Sequence, residues 1–276
     1  MRNRKLIEIA CALNIQSMKH LALQLGISQE EIIAVTKNIE THFRVTELRQ
    51  IKPDGKIKVR QIYLPSPRLK TILKAINIYL LRKIRLSEVV HGSRKGRSPM
   101  TNAAVHVGKK NLLGLDIENF FPSIKPYQVF NMFRRLNCSP TVAKHLTRLC
   151  TSDNHVPQGY ATSPAIANLV FMPATERIYG LAKRQGIKLG TFVDDISISG
   201  NRCLNPFLKT IEKIIYVCGK YGPTAFIGKL MNRRGEVINS SDKLRRYLLG
   251  KVNFIKQINP ERAEKLMLQF YNIRWG

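Results

Sequence analysis

The chain has no long apolar run, no paired cysteines and few acids, and each lack excludes something. No stretch of about 20 apolar residues occurs, so no transmembrane helix is expected. The basic start, Met1-Arg2-Asn3-Arg4-Lys5, leads into an apolar run that is short and broken at Glu8, unlike a signal peptide. Its cysteines, Cys11, Cys138, Cys150, Cys203 and Cys218, are odd in number and form no Cys-x-x-Cys pair. A disulfide framework and a zinc site are therefore not expected, and free thiols in a reducing cytoplasm are. No low-complexity segment or internal repeat stands out. Acids number 18 against 46 Lys+Arg, a formal net charge of +28. Such an excess implies a polyanionic partner, and nucleic acid is the usual one. The basic residues are spread over the whole chain, which disfavours a membrane-surface role. With 276 residues, 44% of them hydrophobic, the chain can bury a core.

What is present centres on a few acids. Asp194 and Asp195 sit side by side between two β-prone runs, Leu189 to Val193 and Ile196 to Ser199. This predicts a hairpin with both carboxylates at its tight turn. Adjacent acids repel, so a cation partner is the natural inference. Upstream, the apolar strand Leu112 to Leu115 ends in Asp116, and Phe120-Phe121-Pro122 follow. Two strand-end acids at one spot would offer oxygen ligands to Mg²⁺, which also binds substrate phosphates. Two ions there could clamp an in-line phosphoryl displacement. A solvated hairpin turn is the plain alternative. Between the acids lies Pro157-Gln158-Gly159-Tyr160-Ala161-Thr162-Ser163-Pro164. Gly159 permits close backbone approach, and Ser163-Pro164 predicts a helix start with Ser as cap.

The order strand-Asp, Pro-Gln-Gly-x-x-x-Ser-Pro, Phe-Val-Asp-Asp resembles the palm of reverse transcriptases. Arg60 to Lys70 and His91 to Ser98 resemble successive fingers blocks of bacterial retron and group II intron enzymes. Asn102-Ala103-x-x-His106 matches a pattern associated with retron reverse transcriptases. The nearest counterpart of that family's Val-Thr-Gly element is Phe226-Ile227-Gly228, with Ile in place of Thr. The resemblance covers roughly residues 20 to 272. It implies an α+β right-hand polymerase: an N-terminal helical segment (1–43), fingers (44–110), a palm of antiparallel sheet plus helices (111–232) that includes part of the fingers, and a short helical thumb (233–276).

Site roles follow from the same resemblance. Asp116 and Asp194 are the expected metal ligands, the backbone carbonyl of Ile117 adds another by the same resemblance, and Asp195 beside them tunes or supports the site. Phe121 would sit under the sugar and exclude a ribose 2′-hydroxyl; core packing is the plain reading. Gln158 and Gly159 would line the nucleotide pocket. Phe192 stands where many relatives have Tyr and would touch the primer end. Lys56, Lys58, Arg60, Arg68 and Lys70 cluster on and after a hairpin predicted over 44–63 across Pro53-Asp54-Gly55. Arg60 and Lys70 are the candidates for triphosphate or template phosphates, against a solvated basic face. Arg94, Lys95 and Arg97 lie in a glycine-punctuated loop suited to a backbone phosphate. Asn102 and His106 are candidates for RNA contact, and a satisfied structural histidine is the alternative for His106. Lys220 and Lys229 are candidates for protonating pyrophosphate.

Elsewhere, residues 21–40 read as two short helices around Gly26-Ile27, with Ser28 capping the second and Glu31 in capping-box position. A packed pair is favoured over a DNA-reading helix-turn-helix. Asn259-Pro260-Glu261 starts a helix with an apolar stripe through Ala263, Leu266, Met267, Phe270 and Tyr271. Lys251 and its basic neighbours would grip the template–primer backbone. With the thumb expected to run to Gly276, no ribonuclease H, endonuclease or maturase extension is expected.

The resemblance implies an RNA-directed DNA polymerase using dNTPs and two Mg²⁺ ions, with Mn²⁺ as a substitute. In a retron it would copy a cognate structured non-coding RNA, prime from an RNA 2′-hydroxyl and give branched RNA–DNA (msDNA). It would act in antiphage defence beside an effector protein encoded nearby, in the cytoplasm and without a membrane. Two other readings stay open: a defence-associated or group II intron-like reverse transcriptase without branched priming, and an inactive RNA-binding scaffold.

Overall fold

The structure is a computed structural model, and it describes residues 12–51, 57–117, 119–221 and 230–232. The chain divides into two compact units, Met1–Arg85 with Phe121–Val170, and Leu86–Phe120 with Phe171–Gly276.

The first unit contains helices α1 (Met18–Leu25), α2 (Gln29–Lys37) and α3 (Pro67–Ala75), with the ribbon β1 (Phe43–Ile51) and β2 (Ile57–Pro65). A short helix, α5 (Phe120–Ser123), straddles the division, and α6 (Pro126–Arg135) and α7 (Pro140–Cys150) follow it. The expected helix pair forms. Ser28 Oγ accepts from the Glu31 backbone N–H at 3.1 Å, and Gly26 ends α1 in the left-handed region at φ 64°. The Glu31 side chain does not complete a capping box. Its carboxylate is engaged by Arg68, whose Nε donates to Oε1 at 2.8 Å. Leu21, Ile32, Leu69, Ile72, Leu73 and Phe133 are fully buried and form the core of this unit. The ribbon pairs Ile51 with Ile57, as the hairpin expectation required, and its turn residues lie outside the described residues.

The second unit is built on an antiparallel sheet in the order β4-β5-β3-β6: β3 (Asn111–Ile117), β4 (Lys188–Phe192), β5 (Asp195–Gly200) and β6 (Leu230–Asn232). Helix α4 (Pro99–Ala104) packs beside β4, and α9 (Asn205–Tyr221) follows β5. Alternation along the strands splits the sheet into two faces. Leu113, Leu115, Ile117, Ile196, Ile198 and Leu189 share one face and are buried, so this face is core. Asp116, Asp195, Ser197 and Ser199 share the other. One long helix, α8 (Ser163–Arg184), carries the chain across the division at Val170.

Mixed helix and antiparallel sheet agree with the α+β expectation. The Ser163 cap does not. Thr162 takes the cap place, its carbonyl accepting from Ile166 N–H at 3.0 Å. Ser163 is the first helical residue, and its hydroxyl donates to the Pro157 carbonyl at 2.6 Å. A hydroxyl beside a buried loop carbonyl satisfies that acceptor instead of a helix N–H. No helix among the described residues is long and apolar enough to cross a membrane.

Candidate active site

The acid site lies where β3 meets the β4–β5 hairpin, within the second unit. Asp116 is the direct cross-strand partner of Asp195. Directly opposed residues project from the same face, and like charges there are destabilising without a counter-ion. Phe192 pairs with Asp195, so the hairpin loop has two residues, Val193 and Asp194. Only Asp194 is therefore at the turn. Asp195 enters β5 and is 7% exposed. Val193, read from sequence as the end of a strand, has φ 60°. A two-residue hairpin loop needs a positive φ at its first position to follow the strand twist. Valine, stiff and β-branched, resists that conformation, so its local preference points to the wrong element. The peptide N–H of Ile117 donates to the Asp194 carbonyl at 3.0 Å, which ties the turn to the end of β3.

Among the described residues, no group of three or more His, Cys, Asp or Glu side chains forms a metal site. The donor set is instead a pair of opposed carboxylates with a third at the adjoining turn. That fits Mg²⁺, which is usually held by one or two carboxylates and completed by water and substrate phosphates. After Asp116 the Phe120 ring packs edge-on against Phe171, centroids 5.8 Å apart, and anchors the chain leaving the site. Phe192 is half-buried on the acid face.

The sequence profile of the family described as reverse transcriptase (RNA-dependent DNA polymerase) matches residues 51–225, which contain this whole site. The chain belongs to that family. It is 36% identical over 204 residues to the retron Se72 reverse transcriptase of Salmonella heidelberg (strain 579083-10), covering 73% of this chain and 53% of that protein. It is 31% identical over 214 residues to the retron Ec86 reverse transcriptase of Escherichia coli, covering 78% and 62%. A retron Mx65 reverse transcriptase of Myxococcus xanthus is 28% identical over 264 residues, covering 75% and 60%. The chain thus matches between about half and two thirds of the length of these relatives.

Reverse transcriptases suggest further site residues, and the structure places these in both units. Gln158, Gly159, Phe121, Arg60 and Lys70 are in the first. Gly159 has φ 114°, and a Cβ there would fall 2.4 Å from the Tyr63 carbonyl oxygen. The Gln158 carbonyl accepts from Tyr63 N–H at 2.7 Å, so this loop is laced to β2. Tyr63 adds a second tie, its hydroxyl donating to Asp153 Oδ2 at 2.6 Å in the turn before the loop. Phe121 and Arg60 are half-buried, and Lys70 is exposed. Arg68, committed to Glu31, is a poor candidate for substrate.

In the second unit Lys95 is exposed and Arg97 half-buried. Arg94 donates to the Ser87 carbonyl at 2.8 Å, so it closes its own loop. Asn102 and His106 are buried, at 7% and 2% exposure, on the serine-bearing face of the sheet. Both side chains lie against β4 and β5. Sequence reasoning missed Gly92, Gly190, Ser197 and Ser199, which meet this hairpin's supports. The signals were a glycine inside a strand and two serines at alternate positions. Lys251, Lys229, the Ile227-Gly228 element and the helix from Asn259 lie outside the described residues, as do Lys56 and the ribbon turn.

Burial sets the charge state of this support. It lowers the His106 pKa to about 3, with a further push from His91, and that of His91 to about 4, with help from Arg97 and Arg94. An unfolded histidine titrates near 6.5. Between about 4 and 6.5 the unfolded chain therefore binds more protons, so stability rises with pH and is lost as pH falls. His106 alone should remove about 2 kcal/mol between pH 7 and 5. Urea midpoints at the two pH values check this, and His106→Asn should flatten the difference. Equal pH dependence in parent and variant would show that His106 is not held neutral.

Proposed function

We propose that this chain is the polymerase portion of a retron reverse transcriptase, copying a cognate structured non-coding RNA into DNA. The observation that carries the reading is Asp116 opposed to Asp195 with Asp194 at the adjoining turn, in a chain of the reverse-transcriptase family. In this reading residues 44–110 form fingers, 111–232 the palm and 233–276 a thumb, after a helical segment over 1–43.

Two Mg²⁺ ions, when bound, would neutralise triphosphate charge and stabilise the attacking and leaving oxygens. Asp116 and Asp194 would hold them, with the Ile117 carbonyl, and Asp195 would support the pair. Gln158 and Gly159 offer a pre-set loop to the incoming dNTP, with Arg60 and Lys70 toward its phosphates. Phe192 supports the primer end. Lys95, Arg97 and Lys251 contact the nucleic-acid backbone. Similarity to retron enzymes supports priming from an RNA 2′-hydroxyl to give msDNA, and a defence role with a neighbouring effector. The test is incorporation of labelled dNTP on an RNA template by purified protein with Mg²⁺. No incorporation on any primed RNA overturns the polymerase reading, and a product without a 2′,5′ branch on the locus RNA overturns the retron one.

Phe121 is the proposed sugar gate. Phe121→Ala should raise ribonucleotide use relative to deoxynucleotide by about tenfold, about 1.4 kcal/mol of lost discrimination. Competition between the two nucleotides at one template position measures it, and an unchanged ratio in folded protein returns Phe121 to packing.

A further inference from the structure

The acid hairpin carries a strained residue, Val193, at the turn that presents Asp194. Such a conformation costs on the order of 1–3 kcal/mol and persists only where its surroundings over-determine it. The surroundings are specific. The N–H groups of His91 and Gly92 both point at the Thr191 carbonyl, at 2.8 and 3.3 Å. A Cβ on Gly92 would lie 2.4 Å from the Val193 nitrogen, so the loop backbone bears directly on the turn.

A second support sits further along the hairpin. Asn102 lies in α4 and His106 in the turn just past its end at Ala104, and both side chains reach the β4–β5 strands. His106 Nδ1 lies 2.7 Å from Ser199 Oγ. Asn102 Nδ2 reaches Ser197 Oγ at 3.5 Å, a long contact. A Cβ on Gly190 would lie 1.9 Å from Asn102 Oδ1 and 3.2 Å from His106 Nε2. Gly190 pairs with Ser197, so the two side chains press on both strands of the hairpin at one level. Ser197 is two residues from Asp195 on the same strand face. A shift of this level therefore moves the acid.

Resting on the polymerase reading above, we propose that Asn102 and His106 are positioning residues for the acid hairpin, holding β4 and β5 on the face that also carries Asp195, through Gly190, Ser197 and Ser199, and are not contacts to RNA. With Gly92 at the turn, they make a two-point cradle. This accounts for a glycine inside β4, since a side chain there would expel the pair.

The test uses Ser199→Ala, His106→Ala, His106→Asn and the Ser199→Ala/His106→Ala double variant, each checked for folding. Asparagine can place a polar atom near the position of Nδ1. His106→Ala should lower kcat by about tenfold or more while affinity for the locus RNA stays within about twofold, and His106→Asn should recover most of the loss. Ser199→Ala, the milder change, should act in the same direction, and the double variant should fall short of the summed single effects. Amide hydrogen exchange over residues 190–197 should quicken in both single alanine variants. RNA affinity falling as far as kcat would overturn the proposal, as would unchanged exchange in both variants. Exchange is read without catalysis. If the parent makes no DNA, the polymerase reading falls and exchange alone decides whether the cradle holds the hairpin.

Discussion

Asp194→Asn should reduce DNA synthesis at least about 10³-fold, with folding and RNA binding retained. Asp194 occupies the second position of a two-residue turn, where asparagine is as well accommodated as aspartate. Its structural bond is made by the backbone carbonyl, which accepts from Ile117 N–H and survives the substitution. The side chain is half-buried and no part of the apolar core. What the variant loses is one negative charge at the proposed metal pair. Charge stabilisation by such ions is worth several kcal/mol in the transition state, and about 4 kcal/mol corresponds to about 10³ in rate. Primer extension with purified variant measures the loss, and filter binding of the same RNA measures what remains. Activity within tenfold of the parent would remove Asp194 from the metal site. Parallel loss of RNA binding would show that the substitution damaged the fold.

The sequence made the acid strands legible because their patterns are local. An apolar run ending in Asp116, and two β-prone runs flanking an acid pair, each carry their own periodicity. The turn was misplaced by one residue for a tertiary reason. Valine favours a strand, and at its positive φ it is met by the backbone of Gly92, about a hundred residues earlier, while Ile117 N–H ties down the next residue of the turn. The same reason hid the burial of Asn102 and His106, since nothing local says whether a short Asn-x-x-x-His segment meets RNA or a sheet. Arg68 reads as a phosphate candidate from the basic segment it lies in, and its partner Glu31 comes from another segment, 37 residues away. Long-range pairing decides such cases, and composition does not contain it.

Composition bears on how the proposed RNA would be held. With a formal net charge of +28, most affinity for any RNA should come from phosphate contacts and the counter-ions they release. If about six or more phosphates are neutralised, affinity should fall by roughly 10³-fold or more between 50 and 200 mM salt. Lys70 and Lys95, both exposed, are available for this footprint. Recognition of one RNA has to survive on top of that shared term. Phosphate contacts position, whereas base and shape contacts specify. The locus RNA should therefore stay bound at salt concentrations that strip a scrambled RNA of the same length. Filter binding of both across a salt series gives two slopes and their offset. A shallow slope would mean that the charge excess serves something other than RNA. Steep, superimposed lines would mean a polymerase with no dedicated RNA, and the retron reading would give way to a general one.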